Sequence, residues 1–156
     1  MATTLDNATL TVQVREDITL NNRKLGGQNV HKITNINEVS ERVLSVPTDE
    51  VKILGLSGTV GAGTYVTTDI QYIRLTNLDN TNFVRLSFIS GSSTDAGAGA
   101  NRFDVKLEAE RSMIFTNASI SGSSENLSFS SFSSFTDLKA KADTAAVDVE
   151  LFVASK

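Results

Sequence analysis

Residues 70 to 89 read Ile70-Gln-Tyr-Ile-Arg-Leu-Thr-Asn-Leu-Asp-Asn-Thr-Asn-Phe-Val-Arg-Leu-Ser-Phe-Ile89, and this stretch decides the fold class. Ile73 and Leu75 fall on one face of its first half, and Val84, Leu86 and Phe88 on one face of its second. A period of two belongs to the β-strand, whose successive side chains point to opposite faces. Between the halves, Asn77, Asp79, Asn80 and Asn82 supply side chains that tolerate turn geometry and bond their own backbone. The stretch predicts a β-hairpin, and nothing near it offers chemistry.

The same alternation recurs on either side. Leu10, Val12 and Val14 alternate with Thr11, Gln13 and Arg15, which predicts a half-buried strand. Ile18 and Leu20 extend it or begin its neighbour, and Asn21-Asn22 and Gly26-Gly27 punctuate the next segment. From Ile33 to Val46 two periods compete. Ile33, Ile36, Val39 and Val43 recur at helical spacing, but the segment from Val39 to Val46 is rich in β-branched residues and runs into Pro47. Proline disfavours helix at the residue before it, so strand is the expectation. Val51 to Leu56 reads as a short strand, followed by a glycine-punctuated loop before Tyr65 and Val66. Phe103, Val105, Leu107 and Ala109 alternate with charged residues, and Met113, Ile114 and Phe115 form a further apolar run. Leu138, Ala140 and Ala142, then Val147, Val149, Leu151 and Val153, predict a C-terminal hairpin. These runs amount to about eight strands at short spacing, the pattern of an all-β, antiparallel β-sandwich or jelly-roll-like fold. The expected organisation is a flexible N-terminal arm over residues 1–8 and one β-sandwich domain over 9–156.

Composition narrows the function classes. A chain of 156 residues is one domain by size and can bury a core without covalent help. Cysteine is absent, which excludes disulfides and thiolate chemistry. The formal charge of −4, with basic residues scattered, argues against a nucleic-acid partner, because phosphate binding wants a basic stripe. No apolar run of the length a membrane-spanning helix needs is present. The first residues, Met1-Ala-Thr-Thr-Leu-Asp6, lack the basic region and apolar core of a signal peptide, so a cytoplasmic origin is expected.

Candidate chemistry is thin. His31 is the single histidine and has neither an orienting carboxylate nor a nucleophile at motif spacing, so a surface histidine is the better reading. Asp104, Glu108 and Glu110 alternate along one strand face. Two facing carboxylates could serve a glycosidase, but a row interleaved with Lys106 reads better as a solvated face. Zinc would need a Cys or His cluster, and none exists. Asn77, Asp79, Asn80 and Asn82 are oxygen-rich, yet no calcium loop of twelve residues with a terminal Glu is formed, so a plain turn is favoured. Gly61-Ala-Gly63-Thr lacks the Lys-Ser/Thr ending of a phosphate loop. No catalytic residue, metal or cofactor is expected.

Contact residues are the alternative. Phe129, Phe132 and Phe135 recur every third residue within a serine-rich segment, a period that suits a short 3₁₀ turn or irregular loop. Such a loop either pins its rings into the core edge or leaves them for a partner to cover. These three rings, with Leu5 of the N-terminal arm, are the candidate interface residues. The low-complexity segment from Ser90 to Ala100 is a second candidate contact loop.

Three stretches together resemble a known group. Ile36-Asn-Glu-Val-Ser-Glu-Arg-Val-Leu-Ser-Val-Pro-Thr48, Tyr72-Ile-Arg-Leu-Thr-Asn77 and Leu138-Lys-Ala-Lys-Ala-Asp-Thr-Ala-Ala-Val-Asp-Val-Glu-Leu-Phe-Val-Ala154 resemble small virion structural proteins of tailed bacteriophages, of the marine and cyanobacterial phage type. The likeness runs from about residue 8 onward. It implies a non-enzymatic role in the virion, assembled in a host cytoplasm. The implied role is a head decoration or cement protein, with a neck or tail component as the alternative. The implied partners are other virion proteins (major capsid, tail or neck) and further copies of the chain, as a trimer or hexamer. A receptor- or carbohydrate-binding β-sandwich of a fibre is a third possibility, weakened by the absence of Trp and the presence of only two Tyr.

Overall fold

The computed structural model describes residues 6–90, 101–117, 122–123, 128–129 and 131–156; for Asn101, 122–123 and 128–129 the backbone alone is described. The first strands are β1 (Ala8–Arg15), β2 (Ile18–Leu20), β3 (Arg23–Leu25), β4 (Gln28–Ile36) and β5 (Glu38–Val46). Next come β6 (Val51–Ser57), β7 (Thr64–Val66), β8 (Ile70–Asn77), β9 (Val84–Ser90) and β10 (Asn101–Leu107). The last are β11 (Ser112–Thr116), β12 (Gly122–Ser123), β13 (Ser128–Phe129), β14 (Asp137–Ala142) and β15 (Val147–Ser155). The protein is all-β, as the alternation predicts, with fifteen strand segments rather than about eight and, among the described residues, one 3₁₀ turn and no α-helix.

Two sheets make the sandwich. One has the order β10-β9-β14-β6-β7 and the other β11-β8-β15-β5, antiparallel throughout except for the parallel β6–β7 pair. Their inner faces meet in a single core. From the first sheet come rows such as Leu107–Val84–Ala142 and Leu86–Ala140, and from the second Leu75–Leu151 and Ile73–Val153. Phe88 sits at the centre, with ring centroids 4.8 Å from Phe115, 5.3 Å from Phe135 and 6.2 Å from Phe103.

The decisive stretch is not a hairpin. β8 belongs to one sheet and β9 to the other, so residues 70 to 89 form an arch that crosses the core. In a hairpin the two apolar faces would lie side by side. Here Ile73 and Leu75 face Val84, Leu86 and Phe88 across the sandwich. The crossing needs a wide link, and residues 78–83 supply it. Asn77, fully buried, staples it. Its Nδ2 donates to the carbonyls of Asn82 (2.9 Å) and Leu107 (3.3 Å), and its Oδ1 accepts from the Asp79 N–H at 2.9 Å. The expected C-terminal hairpin is corrected in the same way, because β14 and β15 lie in opposite sheets. The segment from Ile33 to Val46 is strand, as the β-branched content and Pro47 indicate, broken at Asn37 into β4 and β5.

A hairpin with a two-residue turn lies elsewhere. β1 pairs with β4 and β2 with β3, with one unshifted register from Leu10↔Ile33 to Leu20↔Arg23. Asn21 (φ 48°) and Asn22 (φ 61°) close it, the positive-φ pair that a two-residue type I′ turn requires. Halfway along, Gly26 takes φ 118°, where a side chain would collide with the Glu16 carbonyl. Leu10, Val12 and Ile33, at the base of this hairpin, pack with Ile36 on Tyr72, Phe152 and Ala154, the outer face of the four-stranded sheet.

Candidate interaction surface

Every residue from Gln13 to Lys32 is exposed. A hairpin that keeps its register with all of these residues exposed is a projecting arm. From Val12 to Leu20 it reaches about 27 Å at the usual rise per strand residue. Its tip has an apolar facet. Ile18 and Leu25 are cross-strand partners and Leu20 follows on the same face, with exposures of 57%, 50% and 56% for Ile18, Leu25 and Leu20. Fully burying a side chain of this size is worth about 1.5–3 kcal/mol. Roughly half of that remains unrealised at each of the three. The arm also carries Arg15, Arg23, Lys24 and Lys32 against Glu16 and Asp17. Residues 8–36 therefore bear +2, and the rest of the chain −6 of the total −4.

A second exposed feature lies on β5, an edge of the four-stranded sheet. Its inner row, Leu44 and Val46, meets the core, whereas Val39 and Val43 point outward and are 55% and 59% exposed. The charges between them are engaged within the chain. Arg42 donates to the Ile53 carbonyl. Glu41 lies 3.7 Å from Arg74, which also pairs with Glu150 at 2.6 Å and sits over the Phe152 ring. Beside this edge a groove of about 400 Å³ opens, lined by Glu38, Arg42, Asp69 and Lys156 together with Val60, Tyr65 and Val66.

The residues considered for chemistry are dispersed. His31 stands on the arm opposite Val12, on a different sheet from the carboxylate row. The expected carboxylate row is not a single strand face, because β10 ends at Leu107: Asp104 stands on the strand, paired with Arg102 at 2.8 Å, while Glu108, 2.7 Å from Lys106, and Glu110 (φ 56°) belong to the turn that follows, and all three are exposed. The oxygens of the 77–82 link are taken up within the chain: Asn77 Oδ1 accepts from a backbone N–H, Asn80 Oδ1 from the Thr81 hydroxyl (2.8 Å) and Asn82 Oδ1 from the Thr144 hydroxyl (2.7 Å). Asp79 Oδ1 accepts from the N–H groups of Thr81 (2.7 Å) and Asn82 (2.6 Å), and these bonds, that of Asn82 foremost, hold its carboxyl below the ordinary carboxylate pKa. That is an Asx-type turn rather than a cation cage. Among the described residues no group of three His, Cys, Asp or Glu side chains could hold a metal ion. Burial pushes the Tyr72 hydroxyl pKa up, partly offset by Arg74.

The aromatic repeat needs correction. Phe132 opens a 3₁₀ turn (Phe132–Ser134) capped by Ser131, whose Oγ accepts from the Ser133 N–H. Three residues per turn place Phe132 and Phe135 on the same side. Both enter the chain's own core, at 0% and 2% exposure, so neither is a surface contact residue. The Phe129 side chain, Leu5 and the Ser90–Ala100 loop beyond Ser90 lie outside the described residues. The arm tip is a contact candidate that alternation alone does not reveal. Its signal is present as Asn21-Asn22 between two short apolar segments, which is a hairpin signature.

No protein-family model, no curated protein and no solved structure matches this chain. The class of the protein therefore stands on its own architecture: an all-β sandwich with a projecting hairpin.

Proposed function

We propose that this chain is a non-enzymatic structural subunit of a tailed-phage virion, of the head decoration or cement type, which holds or covers neighbouring subunits. The observation that carries the reading is the arm. Twenty successive exposed residues, in regular pairing and tipped by three apolar side chains, form a surface suited to another protein rather than to a small molecule. The sequence likeness to small virion proteins supplies the setting. The sugar-binding alternative is weakened further, because Tyr72 is buried beneath the base of the arm and cannot serve as a stacking platform.

The test is composition. Particles purified by density gradient from the culture whose DNA carries this reading frame are digested and analysed by mass spectrometry. Recovery of the chain in fixed stoichiometry with the major capsid protein is expected. Absence from intact particles overturns the proposal.

A further inference from the structure

We infer that the arm of one copy docks along the β5 edge of a second copy, so that the chain is both donor and acceptor in a head-to-tail contact. The inference deepens the structural-subunit reading and rests on it for its setting.

Three observations make a second copy the occupant. The donor and acceptor are both on the chain and both unfilled: Ile18, Leu20 and Leu25 at the arm tip, Val39 and Val43 on the edge strand. Their charges are opposite in sign. Arg23 and Lys24 stand at the tip; on β5, Glu38 and Glu41 outnumber Arg42, which is turned to the Ile53 carbonyl, and the arm as a whole is +2 against −6 for the rest. Finally, β5 is nine residues long and, among the described residues, is bonded on one side only, to β15. Its outward backbone groups can pair with an incoming strand. The arm cannot satisfy this edge within its own chain. It leaves β5 at Asn37, and its base already lies on the outer sheet face through Leu10, Val12 and Ile33.

Such a contact joins two different patches, so it is heterologous. It gives rings if the rotation closes and open chains if it does not.

The experiment uses the full chain and two variants that alter exposed residues only. The tip variant is Ile18→Asp with Leu25→Asp; the edge variant is Val39→Lys with Val43→Lys. Light scattering over a range of concentrations gives the mass of each. The unaltered chain is expected as a multimer and each variant as a monomer with an unchanged far-ultraviolet circular dichroism spectrum and a melting temperature that no longer depends on concentration. Mixing the two variants is the decisive arm. The tip variant keeps a good edge and the edge variant a good tip, so the mixture should give a one-to-one heterodimer and nothing larger. A monomeric unaltered chain overturns the inference. So does either variant retaining the parental mass, or a mixture that stays monomeric. None of these outcomes touches the particle-composition test, so the self-contact can fail while the virion reading stands.

Discussion

Replacing Phe135 by alanine separates a core ring from a contact ring. Phe135 is 2% exposed and lies 5.3 Å from the Phe88 ring, centroid to centroid, at the heart of the sandwich. Removing it deletes the transfer free energy of the ring and leaves a cavity, together about 3–5 kcal/mol. The lost tilted ring contact with Phe88 belongs within that sum, at about 0.5–1.5 kcal/mol. With a urea m-value of about 2 kcal/mol/M for a domain of this size, the midpoint falls by about 2 M. The melting temperature falls by about 6–20 °C, at about 2–4 °C per kcal/mol. Urea titration of the dilute protein, followed by far-ultraviolet circular dichroism, measures this. Phe135→Leu, which keeps most of the volume, should lose distinctly less and serves if the alanine variant fails to fold. A Phe135→Ala unfolding free energy within about 0.5 kcal/mol of the parent, with a reduced solution mass, would return the ring to the surface and refute the core assignment.

Three further outcomes rest on particular contacts. Asn77→Ala leaves two carbonyls and the Asp79 N–H without their partner at a buried site, and should cost about 2–4 kcal/mol in urea unfolding; a loss under about 1 kcal/mol would mean the link holds without its staple. Gly26→Ala forces a side chain at φ 118° into the Glu16 carbonyl, so amide exchange in Ile18–Leu25 should accelerate while the melting temperature of the sandwich holds; unchanged exchange would show the kink to be tolerant. The Asp79 carboxyl titrates below its ordinary value in the folded state, so its contribution is complete above the unfolded pKa and is lost as pH falls through the folded one. Asp79→Asn keeps the acceptor oxygen and removes the charge, so as pH falls through and below the ordinary carboxylate range it should lose less stability than the parent; parallel acid losses would contradict this.

The faces of the strands are legible in the sequence, and their partners are not. Val84, Leu86 and Phe88 do point to the core, as do Val147 to Val153 at alternate positions. Period two reports which side of a strand is buried but is silent on whether the neighbouring strand lies beside it or across the core. The 70–89 stretch and the C-terminal pair both read as hairpins for this reason, where the chain forms arches. The length of the 78–83 link is the available clue, since two-residue turns dominate close hairpins. The spacing of Phe132 and Phe135 gives the 3₁₀ turn but not its burial. The arm is the largest omission. Ile18, Leu20 and Leu25 alternate like core residues, and alternation alone cannot place them on a projection.

Edge strands show why the arm and β5 belong in one account. A sandwich of two open sheets has four edges, and proteins normally blunt them. Here β7 is a three-residue strand and β11 a five-residue one, too short to template much pairing. On β10, Arg102, Asp104 and Lys106 form ion pairs along the outward face, which makes it a poor apolar partner. β5 is different. It is the longest of the four, carries no lysine, and alternates Val39 and Val43 with a Glu41 that leans to Arg74. An edge left open in this way is a hazard unless something of matching chemistry covers it. The same chain extends a basic, apolar-tipped strand pair about 27 Å from its body. One feature without the other would be a liability; in the self-docking we infer, the two would form a repeating joint, its specificity set by charge and its strength by the five exposed aliphatic side chains.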